Sequence, residues 1–125
     1  MITGENRVFH IQTEAYSYLF RVNAYGLVEH IHFGAPVKTE DALALSCRPG
    51  LGWGSNILLD PGDTTSCPDA LALEWSGSGR GDYRESPVEL AGQSTDFRYD
   101  SFRILEGGAP MDCGLPQAHG AAETL

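Results

Sequence analysis

Trp53, Asn56 and Asp60 stand in a run rich in glycine and proline, between Pro49 and Gly62. Such a grouping has the chemistry of sugar recognition. An indole ring packs on the apolar C–H face of a sugar while amide and carboxylate groups bond its hydroxyls. The same tryptophan could equally anchor a long loop to the core, and the residue pattern leaves both roles open. His30 and His32 would put two imidazoles on one face of a strand, as some zinc sites do. No third ligand stands at a convincing position, since His10 and His119 are isolated, and no metal is expected. Gly77-Ser78-Gly79-Arg80-Gly81 has the look of a phosphate loop. It lacks a strand before it, a helix after it and the Gly-Lys-Ser or Gly-Lys-Thr that phosphate binding requires. Arg80-Gly81-Asp82 is a chance tripeptide unless it is exposed. Serine, histidine and aspartate are all present, but without the Gly-x-Ser-x-Gly elbow of a hydrolase. The many carboxylates read as a solvated face. Cys47, Cys67 and Cys113 form no Cys-x-x-Cys pair and read as free thiols in a reducing compartment. No catalytic residue and no cofactor are expected from these patterns.

The elements that must position these residues are mostly strands. Val8 to Thr13 is β-branched and aromatic, and Tyr16 to Val22 alternates, with Tyr16, Tyr18, Phe20 and Val22 on one face. Asn23-Ala24-Tyr25-Gly26 is a turn in which Gly26 supplies a positive φ. Leu27 to Phe33 follows as a third strand, so the N-terminal third reads as an antiparallel meander. Residues 46–84 are irregular, a long loop region of the kind that is often functional or covered by a partner. Ser86 to Leu90 and Asp96 to Ile104 are further strand candidates, separated by a turn at residues 92–95. The fold class is therefore all-β, an incomplete antiparallel β-sandwich with long Gly/Pro-rich loops, in a single domain over residues 1–125.

The chain has 125 residues, with 8 basic and 17 acidic side chains and a net charge of −9. Lys38 is its only lysine. Phosphate binding needs clustered lysine and arginine, so neither nucleic acid nor an anionic membrane is an expected partner. No apolar run approaches the ~20 residues of a membrane span. The N-terminus lacks the apolar core of a signal peptide, so the expected location is the cytoplasm.

Several motifs, in order along the chain, carry a resemblance. They are Phe9 to Thr13 with Tyr16 to Val22, Gly26 to Gly34, Gly79 to Pro87, Asp96 to Tyr99 with Phe102 to Ile104, and Gly114-Leu115-Pro116 with Glu123 to Leu125. Together, over roughly residues 8–125, they resemble the N-terminus of family-36 glycoside hydrolases, the bacterial α-galactosidases. The sequence departs from the family pattern where His32 replaces a tyrosine. The stretch from Asp69 to Trp75 also lacks an expected proline. The resemblance implies an enzyme that releases terminal α-galactosyl groups from sugars such as melibiose and raffinose. It implies part of a galactose-mutarotase-like supersandwich, followed in the family by a (β/α)8 barrel that carries both catalytic aspartates. The chain ends inside the supersandwich, so it is expected to be inactive alone and no catalytic residue carries over. In tetrameric relatives a loop of this domain reaches a neighbouring subunit's active site. The matching loop here is residues 48–61, which makes Trp53, Asn56, Leu58 and Asp60 candidates for the substrate rim. A half-sandwich leaves a strand edge and an apolar face uncovered, so a homo-oligomer is expected. A free-standing carbohydrate-binding module is the principal rival, with an acidic scaffold protein and an independent hydrolase behind it.

Overall fold

The computed structural model describes residues 1–46, 57–78, 81–108 and 122–125. Four strands form one antiparallel sheet in chain order: β1 (Ile2–Glu5), β2 (Val8–Gln12), β3 (Ser17–Val22) and β4 (Val28–Gly34). A short helix, α1 (Thr39–Ala44), follows, and β5 (Leu105–Glu106) pairs with β6 (Glu123–Thr124) near the C-terminus.

The meander expected from alternation is present as β2, β3 and β4. Its partner β1 was not expected, because MITGENR is polar and too short to show a period. What makes it a strand is the turn beside it. Glu5 pairs with Val8, and Asn6 and Arg7 between them have φ of 51° and 63°. Two consecutive left-handed residues make the tight hairpin turn whose twist matches that of the flanking strands. Gly4, opposite Phe9, leaves room for an aromatic ring: a Cβ there would meet Phe102 at 2.9 Å. At the β3–β4 turn Gly26 has φ +78°, as expected, and Asn23 Oδ1 accepts the N–H groups of Tyr25 and Leu27 at 2.9 and 3.0 Å.

The two faces of the sheet are built differently. One is aromatic: Phe9 stacks on Phe20 at 5.0 Å and meets Phe102 edge-on at 4.9 Å, and Tyr99 approaches at 6.1 Å. The other presents His10, Ser17, Leu19 and Glu29, and is covered in part by α1, whose Ala42 is fully buried like Leu19. The small β5–β6 sheet faces the aromatic side across a cavity of about 410 Å³ lined by Phe9, Phe20, Leu105 and Leu125. The result is an all-β sandwich with one full sheet and one minimal one.

The strands expected at residues 86–90 and 96–104 are not found as ladder strands. Leu90 and Gln93 make one isolated bridge around a turn, with Gly92 at φ +71°. Residues 97–102 lie across the aromatic face rather than beside a strand edge. Tyr99 N–H donates to the Gly26 carbonyl at 2.8 Å, and the rings of Tyr99 and Phe102 point at Phe9. Alternation there reflects one side resting on a sheet, which needs no strand partner. Within the irregular region, Leu73 bridges to Glu29. His30 N–H donates to Ala72 O at 2.7 Å and Glu74 N–H to Val28 O at 2.9 Å, so this loop covers the outer edge of β4.

Candidate functional site

Of the four rim candidates, Trp53 and Asn56 lie outside the described residues. Leu58 and Asp60 stand at the start of a self-supported loop. Leu59 N–H donates to Ser66 O at 3.0 Å. Asp60 is exposed and uses Oδ1 to accept the Gly62 N–H at 2.8 Å, closing a turn that Asp63 N–H completes on the Asp60 carbonyl. Asp63 is the organiser. Its carboxylate accepts from Ser66 Oγ at 2.5 Å, from Thr65 Oγ1 at 2.6 Å and N at 2.9 Å, and from the Tyr25 hydroxyl at 3.1 Å. These donors, Ser66 foremost, hold its pKa far below the usual carboxylate range. Desolvation, and then the neighbouring Asp63, push the Tyr25 phenol up.

Leu58 faces a cleft of about 250 Å³ that it shares with Leu27, Leu73, Asp82, Asp96 and Arg98. The charged groups come from two of the motifs that carry the family resemblance. The structure shows them satisfied from within. Arg84 binds Asp82 through Nε at 2.9 Å, and its other nitrogens donate to the Leu71 and Pro68 carbonyls at 2.8 and 2.7 Å. Arg98 pairs with Asp96 at 2.9 Å and donates to Tyr25 O at 3.0 Å. The Arg-Gly-Asp tripeptide therefore ends in a buried aspartate committed to an internal arginine. The cleft under Leu58 is of mixed character, with Leu27, Ile57, Leu59 and Leu73 beside Asp82, Asp96 and Arg98.

The histidine pair is corrected by a bulge. Leu19 pairs with His32 while Phe20 pairs with His30, so Ile31 is an extra residue. An inserted residue reverses the side-chain alternation. His30 therefore joins the aromatic face, 6.0 Å from the Tyr18 ring, with Nδ1 2.6 Å from Glu74 Oε1. His32 points to the other side and donates from Nε2 to Ala35 O at 3.0 Å. Among the described residues, no three His, Cys, Asp or Glu side chains are grouped to hold a metal ion. Among those residues, too, no helix is long and apolar enough to cross a membrane.

Pattern reasoning missed the Tyr18–Glu74–His30 cluster, in which burial and then the Glu74 carboxylate raise the Tyr18 phenol. It also missed the apolar groove of about 420 Å³ along Val28, Trp75, Val88 and Phe97, where Trp75 meets Phe97 edge-on at 5.7 Å. Both join segments far apart in sequence, and no local period signals them.

Comparison with known proteins gives this geometry its context. The family model described as the glycosyl hydrolase family 36 N-terminal domain matches residues 26–125. The chain is 34% identical over 127 aligned residues to α-galactosidase 1 of Pediococcus pentosaceus, covering 95% of this chain and 16% of that protein. Among solved structures it is similar to the family-36 α-galactosidase AgaB of Geobacillus stearothermophilus. The TM-score is 0.75 at 26% identity, over 96% of this chain and 16% of that one. A variant of AgaA from the same organism, solved in complex with raffinose, matches with a TM-score of 0.67 at 26% identity, over 91% of this chain and 16% of that one. The chain thus spans about one-sixth of the length of the relatives it matches. It belongs to the N-terminal domain family of the family-36 glycosyl hydrolases.

Proposed function

We propose that this domain is the non-catalytic N-terminal part of an α-galactosidase acting on galactosides such as melibiose and raffinose. In that role it supports the catalytic barrel and, through residues 48–61, lines the rim of the sugar pocket. The observation that carries this reading is the match of residues 26–125 to the domain family, at 16% of the length of α-galactosidases, one of which was solved in complex with raffinose. Support for the rim role comes from the residue types, Trp53 and Asn56 with Leu58 and Asp60, and from the rigid Asp63-centred turn at the end of their loop. In the complete enzyme, Trp53→Ala is expected to raise KM roughly tenfold, the scale of one lost ring-stacking contact, with kcat and Tm nearly unchanged. An unchanged KM would remove Trp53 from the rim. Raffinose titrated into the 125-residue chain is expected to give no binding heat, whereas saturable binding would establish the rival carbohydrate-binding module.

The same reading includes homo-oligomer contacts. Phe33 is 66% exposed, and Phe97, Phe102 and Trp75 are also exposed on or beside the aromatic face. Contiguous apolar surface of this kind drives association. Light scattering should show the isolated chain self-associating as its concentration rises, and a clean monomer at high concentration would count against these contacts. A cytoplasmic setting completes the proposal, since Cys67 is a buried free thiol and the cysteines are widely spaced. An amino-terminal fusion that appears in the periplasm or medium would overturn it.

A further inference from the structure

His10 is 6% exposed on the non-aromatic face of β2, and both of its ring nitrogens are engaged by hydroxyls. Nδ1 lies 3.0 Å from Thr39 Oγ1, in the first residue of α1, and Nε2 lies 2.9 Å from Ser17 Oγ on β3. Ser17 Oγ also accepts the backbone N–H of Val37 at 3.2 Å. One imidazole therefore ties together two strands, the strap before α1 and α1 itself. Apart from these bonds, α1 is held on the sheet by its buried Ala42. The helix is six residues long, and Lys38 at its N-cap provides no side-chain cap. A helix this short does not persist in water without tertiary anchoring.

The network fits a neutral ring. Ser17 Oγ accepts from Val37, so its own hydrogen is available to Nε2, and Nδ1–H donates to Thr39. A proton on Nε2 would turn the Ser17 hydrogen out of its bond and leave it unpaired in a buried site, at a cost in stability. The charges around the ring do not favour a cation. His32 on β4 and the ammonium of Met1, at the start of β1, both oppose it. On the same face, Arg21 of β3 and Glu29 of β4 are paired with each other at 2.7 Å. On α1 and just before it, Glu40, Asp41 and Lys38 are all exposed.

We propose that neutral His10 is the latch that holds α1 and its strap on the sheet, and that protonation of its ring releases them. Burial first, then His32, lower the ring's pKa below its ordinary 6.5 in the closed state. Below that value the open state binds more protons than the closed one, so opening becomes easier as pH falls and harder as it rises. Residues 47–61, with the rim candidates, follow α1 in sequence. Under the galactosidase reading, on which this one consequence rests, the latch raises KM in acid while leaving the pH profile of kcat alone.

The test is amide hydrogen exchange of the 125-residue chain, corrected for intrinsic rates, at about pH 5 and about pH 7.5. The Ala42 amide, which bonds to Lys38 O, should lose protection about tenfold at the lower pH, while Leu19 in the sheet keeps its own. His10→Gln keeps hydrogen-bonding groups but cannot take up the proton, and should abolish the difference. Equal protection of Ala42 at both pH values would overturn the latch. So would a difference that survives His10→Gln and disappears in His32→Gln. If His10→Gln does not fold, the ring of wild-type His10 followed by NMR decides. It must titrate below the ordinary value and in step with Ala42 exchange, and titration at or above that value overturns the proposal. The exchange measurement involves no sugar, so a failed latch and a failed rim give different results.

Discussion

Phe9→Ala is expected to destabilise the domain by about 3–5 kcal/mol, the range for removing a large ring from a packed core. Phe9 is 2% exposed and three other rings converge on it: Phe20 from β3, and Tyr99 and Phe102 from the segment laid over the sheet. The cavity of about 410 Å³ beside it means the site is already loosely filled. Removing the ring would enlarge that space, and the cost of a large-to-small change rises with the volume left empty. Small domains are held by only about 5–15 kcal/mol in total, so this loss is a large fraction of the whole. Urea denaturation followed by far-UV circular dichroism measures it. Near-UV signal should fall as well, because residues 97–102 lose their seat on the sheet. A loss below about 1 kcal/mol would show that the aromatic face is not a core. Phe9→Leu, which refills most of the volume, should retain much of the stability.

Glu29→Ala should cost about 2–4 kcal/mol, through electrostatics rather than packing. Glu29 is 4% exposed. Its Oε2 receives Arg21 Nε at 2.8 Å, and a second Arg21 nitrogen at 2.7 Å. Its Oε1 receives Asn23 Nδ2 at 2.7 Å. Asn23 in turn holds the turn that joins β3 to β4, through its bonds to Tyr25 and Leu27. Removing the carboxylate leaves the buried Asn23 amide unpaired and Arg21 without its counter-charge. Arg21 can swing partly toward water, which sets the lower end of the range. Glu29→Gln should fall between wild type and Glu29→Ala, since its amide can serve one donor and opposes the other. A chemical-denaturation shift under about 0.5 kcal/mol for Glu29→Ala would show the network to be idle.

Both predictions concern residues whose types were visible in the sequence and whose partners were not. Phe9 stood out as an aromatic in a β-branched and aromatic stretch, but nothing local indicated that Phe102, so distant in sequence, would pack edge-on against it. The expected strand at residues 96–104 shows the limit well. Alternation records that one side of a segment is dry, and a segment resting on a sheet face meets that condition as fully as a strand in a ladder. Within the sugar-rim candidates, the sequence supplied residue types suited to a sugar. The structure adds Leu58 facing a cleft and Asp60 closing a turn, while Trp53 and Asn56 lie outside the described residues.

The strands β2, β3 and β4, the turn at Gly26, the acidic character and the family resemblance were all determined by the sequence alone. Each depends on neighbours within a few residues or on a motif in linear order, and period-two patterning and glycine chemistry are local properties. Only the tertiary structure decided the rest. A single bulge at Ile31 sends His30 and His32 to opposite faces and ends the zinc reading. The pairing of β1 arises from two left-handed residues at Asn6 and Arg7, which are neither glycine nor an obvious turn pair. The His10 latch joins β2, β3, a strap and a helix through hydroxyls up to 29 positions away. Hydrogen bonds and ring contacts over such separations depend on register, and one extra residue in a strand changes register without leaving any mark in composition or period.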